Sequence, residues 1–404
     1  MKKNKLKIGL HPSFYRILLV FIATIFILSA SAFIAEQFNT NHSSTNDLTK
    51  TRNQINNLTK ELESAKKSLV DLQNIDQVKT NQDLSLEIKN IQKSFNEAVT
   101  VYEDIIDLKI AKVNTQKIDD KFSEILKVLS QRKYTEADTK ISEIKSLVKS
   151  ERDKLAVSTV AAINTVNLPS SNIVPEGGYR RQQVTTDAGN FVIDILSADL
   201  GSTKVIIDTS SDGDCQNDCP VMSVGNYASR SGAFAAINGS YFCPASYPSC
   251  AEKKNSFDTL LMNKNKKYFN SDNNVYSTVP AAIFSSGSAR FVSQSLQWGR
   301  DTGVDGVIAN QPLLTLSGQL LFSGNSDAKQ SSRSNRSFIG SSQSKIFMGV
   351  VYSSSVAEAA KVLHTLGIQN SLNLDSGGST AFWVGGYKAG PGRDVPNAIL
   401  FVKR

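Results

Sequence analysis

Between residues 46 and 155 the chain contains neither glycine nor proline, and apolar residues return at alternating steps of three and four. A backbone without its two strongest breakers, carrying that spacing, is committed to helix. One seam runs Ile55, Leu58, Leu62, Ala65, Leu69, Leu72; a second runs Ile88, Ile91, Phe95, Ala98, Tyr102, Ile105. Shorter pieces follow at Ile118, Phe122, Ile125, Leu129 and at Ala137, Ile141, Ile144, Val148. The pattern breaks near residues 74–83, 114–116 and 131–134, so a short antiparallel bundle and a long coiled coil fit equally. Either is a stalk: a spacer, a docking surface or a place for self-association. Its stripes are ordinary helix core, and nothing in it has the makings of an active site.

Beyond residue 155 the periodicity stops. Pro169, Pro175, Gly177 and Gly178 among serines and asparagines make residues 156–178 a linker. From 179 to 404 Gly, Ser and Asn are frequent, and short β-branched or aromatic runs stand between turn residues, at 191–196, 204–207, 235–237, 279–284, 289–292, 345–352, 370–374 and 398–402. Helical spacing is clear at 356–366 and weaker at 224–230. The class read from this is α+β, with mainly antiparallel sheet and few helices in the C-terminal domain.

The formal charge is +8, but Lys2, Lys3, Lys5, Lys7 and Arg16 precede any acid, which leaves 8 − 5 = +3 for the rest. The basic balance is thus a targeting signal, residues 1–16 being a cytoplasmic segment, and no basic stripe points to nucleic acid. Residues 17–35 form an uncharged apolar run of 19 residues, close to the roughly 20 that a helix needs to span hydrocarbon. The run is a transmembrane anchor, or a signal peptide cut at Ala30-Ser31-Ala32, and in both cases the basic flank stays inside and the remainder is exported. Four cysteines, Cys215, Cys219, Cys243 and Cys250, lie beyond it. In an exported chain an even number reads as two disulfides, of undecided pairing. The interval from Cys243 to Cys250 is too long for a zinc site, and no metal or other cofactor is expected.

Three segments put polar groups at the end of an apolar strand: Ala236-Ile237-Asn238-Gly239-Ser240-Tyr241-Phe242, Arg336-Ser337-Phe338-Ile339-Gly340, and Leu372-Asn373-Leu374-Asp375-Ser376-Gly377-Gly378-Ser379-Thr380. In the third, Asp375 meets a turn whose paired glycines let a ligand approach the backbone, and the amides of 376–380 can form an anion-binding concavity beside the Ser379 and Thr380 hydroxyls. The plain alternative is an Asx turn at a tight corner. Arg336 offers a planar fork to a phosphate, and Asn238 a donor and an acceptor for a sugar hydroxyl or a water.

Together, in this order and spacing, the three segments resemble the phosphodiester glycosidase family. The run Val307-Ile308-Ala309-Asn310-Gln311-Pro312-Leu313-Leu314 with the Ser317-Gly318 turn, and the helix ending at Leu366-Gly367, are similar to the family's framework, and the likeness covers roughly residues 191–404. Ser376 stands where the family usually has the first of three glycines, and Ser240 where it has a second glycine. The resemblance implies an extracellular hydrolase that cleaves a sugar-1-phosphodiester, such as one of N-acetylglucosamine, in a surface or secreted glycan. It makes Asp375 base or nucleophile, puts Arg336 with Gly377 and Gly378 on the departing phosphate, and has Asn238 and Ser379 position sugar or water. Ser240, Tyr241, Ser376 and Thr380 complete the pocket. A second carboxylate, as ordinary glycosidases use, is marked by no motif; Asp258, Asp301 and Asp305 are candidates.

Two other readings compete. Asp375-Ser376-Gly377-Gly378 is superficially like a serine-protease nucleophile loop, but the histidines are only His11, His42 and His364, none suited to a triad. The other is a non-catalytic module that binds phosphate-containing glycans.

Overall fold

A computed structural model describes residues 12–37, 45–73, 76–162, 168–271 and 277–404. Two compact units divide the chain, Met1–Ile91 and Gln92–Arg404. In the first, helix α1 (Pro12–Gln37) carries the apolar run and α2 (Thr45–Gln73) the first seam. Leu19, Phe21, Ile22, Ile25, Phe26 and Leu28 of α1 are exposed, as are Ile55, Leu69 and Leu72 of α2. Among the described residues no helix is long and apolar enough to cross a membrane. Residues 1–11, with the basic cluster and His11, and His42 lie outside them, as do the side chains of 17, 18 and 32–35.

The second unit begins within α3 (Asp76–Ile110) and continues through α4 (Gln116–Ser130) and α5 (Tyr134–Ala162). These pack as an up-down-up bundle, the antiparallel alternative, and the structure gives the coiled coil no support. Ion pairs fix the directions: Lys140 with Glu124 and Lys121 with Glu143 set α4 against α5, while Lys93 with Asp138 and Arg152 with Asp104 run α3 alongside α5. Ala98, Val101, Ile105, Leu108, Ile125, Ile141 and Ile144 form the bundle core. The bundle shares a unit with the sheets, so the division differs from a stalk at 46–155 and a separate domain at 179–404. The reason is packing, because α5 lies against strands that carry the site.

Seven strands make the first sheet, in the order β1 (Gly178–Thr186), β2 (Gly189–Asp199), β13 (Lys345–Ser354), β12 (Ser334–Ser342), β14 (Asn370–Asn373), β10 (Leu313–Leu316), β11 (Gln319–Leu320). A second follows the order β16 (Tyr387–Ala389), β15 (Phe382–Trp383), β4 (Ala235–Asn238), β17 (Asn397–Lys403), β3 (Thr203–Thr209). The third is β6 (Tyr268–Phe269), β5 (Leu261–Met262), β9 (Gly306–Ala309), β7 (Ala281–Ser285), β8 (Ser288–Val292). Neighbouring strands in all three sheets run antiparallel, and the class is α+β.

Alternation along β2 shows how the layers are filled. Val192 and Leu196 enter the core shared by the three sheets, where Ile237, Ile308, Ile339, Leu372 and Ile399 meet. Phe191, Ile193 and Ile195 face the other way, onto Val356, Ala359, Ala360 and Leu363 of α8 (Val356–Thr365). Successive side chains of a strand point to opposite faces, so a strand apolar at nearly every position is covered on both. The second sheet carries α6 (Val224–Arg230), whose Val224, Tyr227 and Ala228 pack on Ala236, Ala398 and Leu400. A short α7 (Ala328–Ser331) precedes β12.

Candidate active site

β14 and β4 belong to different sheets, yet both deliver their ends to one spot. Leu374 N donates to Ser337 O at 2.9 Å, Asp375 N to Gly239 O at 3.0 Å, and Asn238 Nδ2 to Asp375 O at 2.7 Å. Ser337 Oγ closes the triangle by donating to Asn238 Oδ1 at 2.9 Å. The three segments singled out in the sequence therefore meet at the junction of two sheets, with Asp375 between them.

Their side chains divide the work differently from expectation. Asn238 is wholly buried, and its Oδ1 also accepts from Ala381 N at 3.1 Å. Its amide holds the Asp375 turn rather than meeting a sugar or water. Arg336 is buried too: Nε donates to Ser354 O at 3.0 Å, and Nη2 to Lys329 O at 2.8 Å and Ser332 O at 2.5 Å. Burial lowers its pKa to about 10, so it remains a cation at neutrality, and those bonds tie α7 to β12 and β13 rather than reaching toward a phosphate. Ser240 is buried, with Oγ accepting from Asn397 Nδ2, and Tyr241 Oη accepts from Asn373 Nδ2 at 2.8 Å. Burial and the nearby Asp375 charge push the Tyr241 phenol up.

The glycine turn is a short 3₁₀ segment, Gly377–Ser379, entered with Gly377 at φ +65°. That left-handed conformation is easy only for glycine. Three of the five amides expected to face an anion are spent inside the turn: Ser376 N donates to Asp375 Oδ1 at 2.9 Å, Ser379 N to Ser376 O at 3.4 Å and Thr380 N to Gly377 O at 3.1 Å. The concavity narrows to Gly377 and Gly378. Ser376 Oγ donates to Leu374 O at 3.1 Å and Thr380 Oγ1 to Asn335 O at 3.0 Å, leaving Ser379 as the hydroxyl that bonds the Asp375 carboxylate. Burial raises the Asp375 pKa to about 6; Ser379, Arg393 and the Ser376 amide hold it back, and the charge of Asp107 adds to the rise. A carboxylate with that value titrates close to neutrality, which suits proton transfer.

Arg393, Tyr247 and Asp107 were missed in the sequence. Arg393 follows a Gly390-Pro391-Gly392 turn just before β17, and its N donates to Gly378 O at 2.8 Å. The guanidinium lies so flat on Gly378 that a Cβ there would collide with Nη2. Nη2 donates to Asp107 Oδ1 of α3 at 2.8 Å. Among the described residues, the buried Nε and Nη1 have no hydrogen-bond partner. Buried donors are nearly always satisfied, and the charge of this arginine is near enough to Asp375 to lower the pKa of that carboxyl. Tyr247 donates from Oη to Asp107 Oδ2 at 2.5 Å, and its ring stacks under Arg393 and Lys329. The polar residue after a glycine turn and before an apolar strand was a readable signal for Arg393. Nothing distinguishes Asp107 from a solvated helix charge until the bundle docks.

The carboxylates considered as partners of Asp375 are engaged elsewhere or open to solvent. Asp301 Oδ1 accepts from Gly303 N at 2.8 Å and Asp305 pairs with Lys204 at 3.2 Å; Asp258 is exposed as a residue, although its N donates to Tyr241 O at 3.2 Å and desolvation raises its carboxyl pKa. His364 lies exposed on α8. The cysteines form Cys215–Cys219 and Cys243–Cys250, with Cα separations of 5.7 and 5.4 Å, ordinary for disulfides. Among the described residues no group of three His, Cys, Asp or Glu is arranged to hold a metal ion.

Residues 231–402 match the family model described as phosphodiester glycosidase. No curated protein matches the chain. Among solved structures, a hypothetical protein from Synechocystis is similar at 14% identity and a TM-score of 0.41, over 56% of this chain and 62% of its own. This chain thus spans about three fifths of that protein's length. The catalytic domain of zebrafish N-acetylglucosamine-1-phosphodiester alpha-N-acetylglucosaminidase, auto-inhibited by its pro-peptide, is similar at 16% identity and a TM-score of 0.46, over 59% of this chain and 87% of its own.

Proposed function

Taking as premise that residues 231–402 are a phosphodiester glycosidase domain, and so a hydrolase of glycosyl bonds, we propose that the chain acts outside the cell on a sugar-1-phosphodiester in a surface or secreted glycan. The observation that carries this reading is the pairing of a half-buried carboxylate, Asp375, whose pKa desolvation raises to about 6, with an arginine whose buried Nε and Nη1 have no hydrogen-bond partner among the described residues. One group suits the anomeric carbon and the other suits an anion.

In this reading Arg393 and the backbone at Gly377 and Gly378 take the phosphate, and Asp375 faces the sugar. The bond from the anomeric carbon to the bridging oxygen breaks, with its electron pair staying on the phosphate, whose developing charge the guanidinium stabilises. Water supplies hydroxyl to the sugar and a proton to the phosphomonoester. Asp375, ionised, either takes that proton from water or attacks the carbon itself. Ser379 holds the carboxylate, and Asn238, Ser337 and Arg336 fix the strand ends from behind.

Export is supported by the two disulfides, and the basic flank with the apolar run of α1 suits a signal peptide rather than an anchor, since no described helix is long and apolar enough to cross a membrane. Wall polymers with sugar phosphates, capsular glycans and other sugar-phosphate decorations are the substrate class. The test is incubation of the purified full chain with the methyl phosphodiester of N-acetylglucosamine 1-phosphate, reading free sugar and methyl phosphate. Turnover is expected, with Asp375→Asn slowing it by about a thousandfold or more while substrate affinity falls far less. The anomer first released separates displacement by water from a glycosyl-Asp375 intermediate. Binding without release, unchanged in Asp375→Asn, would leave a glycan-binding module instead.

A further inference from the structure

The last turns of α3 bury acids where an amphipathic helix ordinarily buries apolar residues. Glu103 is 6% exposed and Asp104 is 4% exposed, beside the core residues Val101, Ile105 and Leu108. Each acid has a partner. Glu103 Oε1 accepts from Ser249 N at 3.1 Å, Asp104 Oδ1 from Arg152 Nη2 at 2.7 Å, and Asp107 from Arg393 Nη2 and Tyr247 Oη, with Arg152 at 3.7 Å. Tyr247 and Ser249 lie in the loop closed by Cys243–Cys250, so α3 is gripped by a covalently ringed loop and by the arginine next to the glycine turn. Burying carboxylates is tolerated only with such pairing.

We propose that Asp107, which lies outside the residues matching the glycosidase family, is a positioning residue of the phosphate site: it holds Arg393 through Nη2 and so fixes the direction in which the unpartnered Nε or Nη1 donates to a phosphate oxygen. The inference rests on the functional reading above. A guanidinium is a rigid fork whose donors point in set directions, so holding one nitrogen sets the other two. An arginine side chain otherwise loses rotamer freedom when it binds an anion, and a carboxylate at 2.8 Å has already removed that freedom. Asp104 and Asp107 are matched by Arg152 and Arg393 while Glu103 and Asp375 add negative charge, so attraction for the incoming anion comes from the unpartnered donors rather than from excess positive charge. The other short contacts of Asp107 serve the same end: Tyr247 fills its second oxygen and lays its ring along the guanidinium, 5.6 Å from centroid to Cζ. The helical bundle thereby becomes part of the site.

Inorganic phosphate is the probe, titrated calorimetrically into the full chain, since its binding needs no turnover. Asp107→Ala is expected to weaken phosphate about tenfold, Arg393→Gln at least as much, and the double variant no more than Arg393→Gln alone, the signature of one residue acting through the other. Asp107→Asn, which keeps an acceptor oxygen in place, should recover most of the affinity. Should Asp107→Ala fail to fold, Asp107→Glu keeps the charge and shifts the carboxylate by one methylene, and weakened binding is again expected. Additive losses in the double variant, or unchanged binding in these variants, would overturn the proposal. So would tighter phosphate binding or faster turnover without Asp107, because the carboxylate would then be occupying the anion's own place. A chain that couples Asp107 to Arg393 in phosphate binding but cleaves no phosphodiester refutes the functional reading alone; one that cleaves without the coupling refutes this inference alone.

Discussion

Asp375 shows what desolvating a carboxylate costs. Its pKa is raised to about 6 in the folded chain against an ordinary value of 3.8, so between those pH values the native state holds a proton that the unfolded chain has released. Its contribution to stability is therefore complete below about 3.8 and is lost as the pH rises through 6. With roughly 1.4 kcal/mol per pKa unit, a neutral isostere is expected to stabilise the fold by up to about 3 kcal/mol at pH 8 and by almost nothing at pH 4. Urea unfolding of Asp375→Asn at the two pH values checks this; a gain that is the same at both would mean that the buried charge is not the cause. On the proposed reading the same titration is expected to give turnover a rising limb near pH 6, since base and nucleophile alike need the ionised form. The placement of Asp375 in the cluster was legible because an apolar strand ran into a glycine pair. Asn238 and Arg336 were legible as members of the cluster but not in their roles, because which way a side chain turns at a strand end depends on neighbours far along the chain, such as Ala381 and Ser354.

At the scale of elements, long alternating or fully apolar strands announced themselves, and β2, β13 and β17 were all anticipated in part. The strands that were missed have reasons. β1 reads Gly-Tyr-Arg-Arg-Gln-Gln-Val-Thr-Thr and is an edge strand, where polar residues are at no disadvantage. The two-residue strands β5, β6, β11 and β15 are too short to show any period. The loop from Cys243 to Cys250 has neither strand nor long helix, yet it grips α3 through Tyr247 and Ser249. Cross-linking residues separated by seven positions restricts the unfolded chain by about 2.5 kcal/mol on the loop-closure estimate. Replacing both Cys243 and Cys250 with Ser is expected to lower stability by about that amount and to weaken phosphate binding together with it, as the Tyr247 contact to Asp107 loosens. Thermal unfolding and phosphate titration on one preparation test both; a loss of stability with phosphate affinity unchanged would show that the ring steadies the fold without serving the site.

For the whole molecule, the break in composition near residue 178 marks where strands begin but not where a folding unit begins. The compact unit starts at Gln92, because α5 packs on β12 and β13, Asp153 accepts from Arg333 N at 3.4 Å, and α3 reaches Arg393. Periodicity can report that a helix has an apolar face, but not that its polar flank will be buried against a distant loop. A chain cut to begin at Gly177 would keep every residue matching the glycosidase family and lose Asp107, Glu103 and the cover over β12 and β13. A chain cut to begin at Gln92 would keep them all. The second is expected to match the full chain in melting temperature and in kcat/KM on the methyl phosphodiester. The first should melt lower and lose at least about tenfold in kcat/KM, the cost of one misplaced charge-assisted contact to the transition state. Equal activity of both would make the helices a mere spacer, and higher activity of the shorter chain would make them a cover that has to leave before substrate can enter.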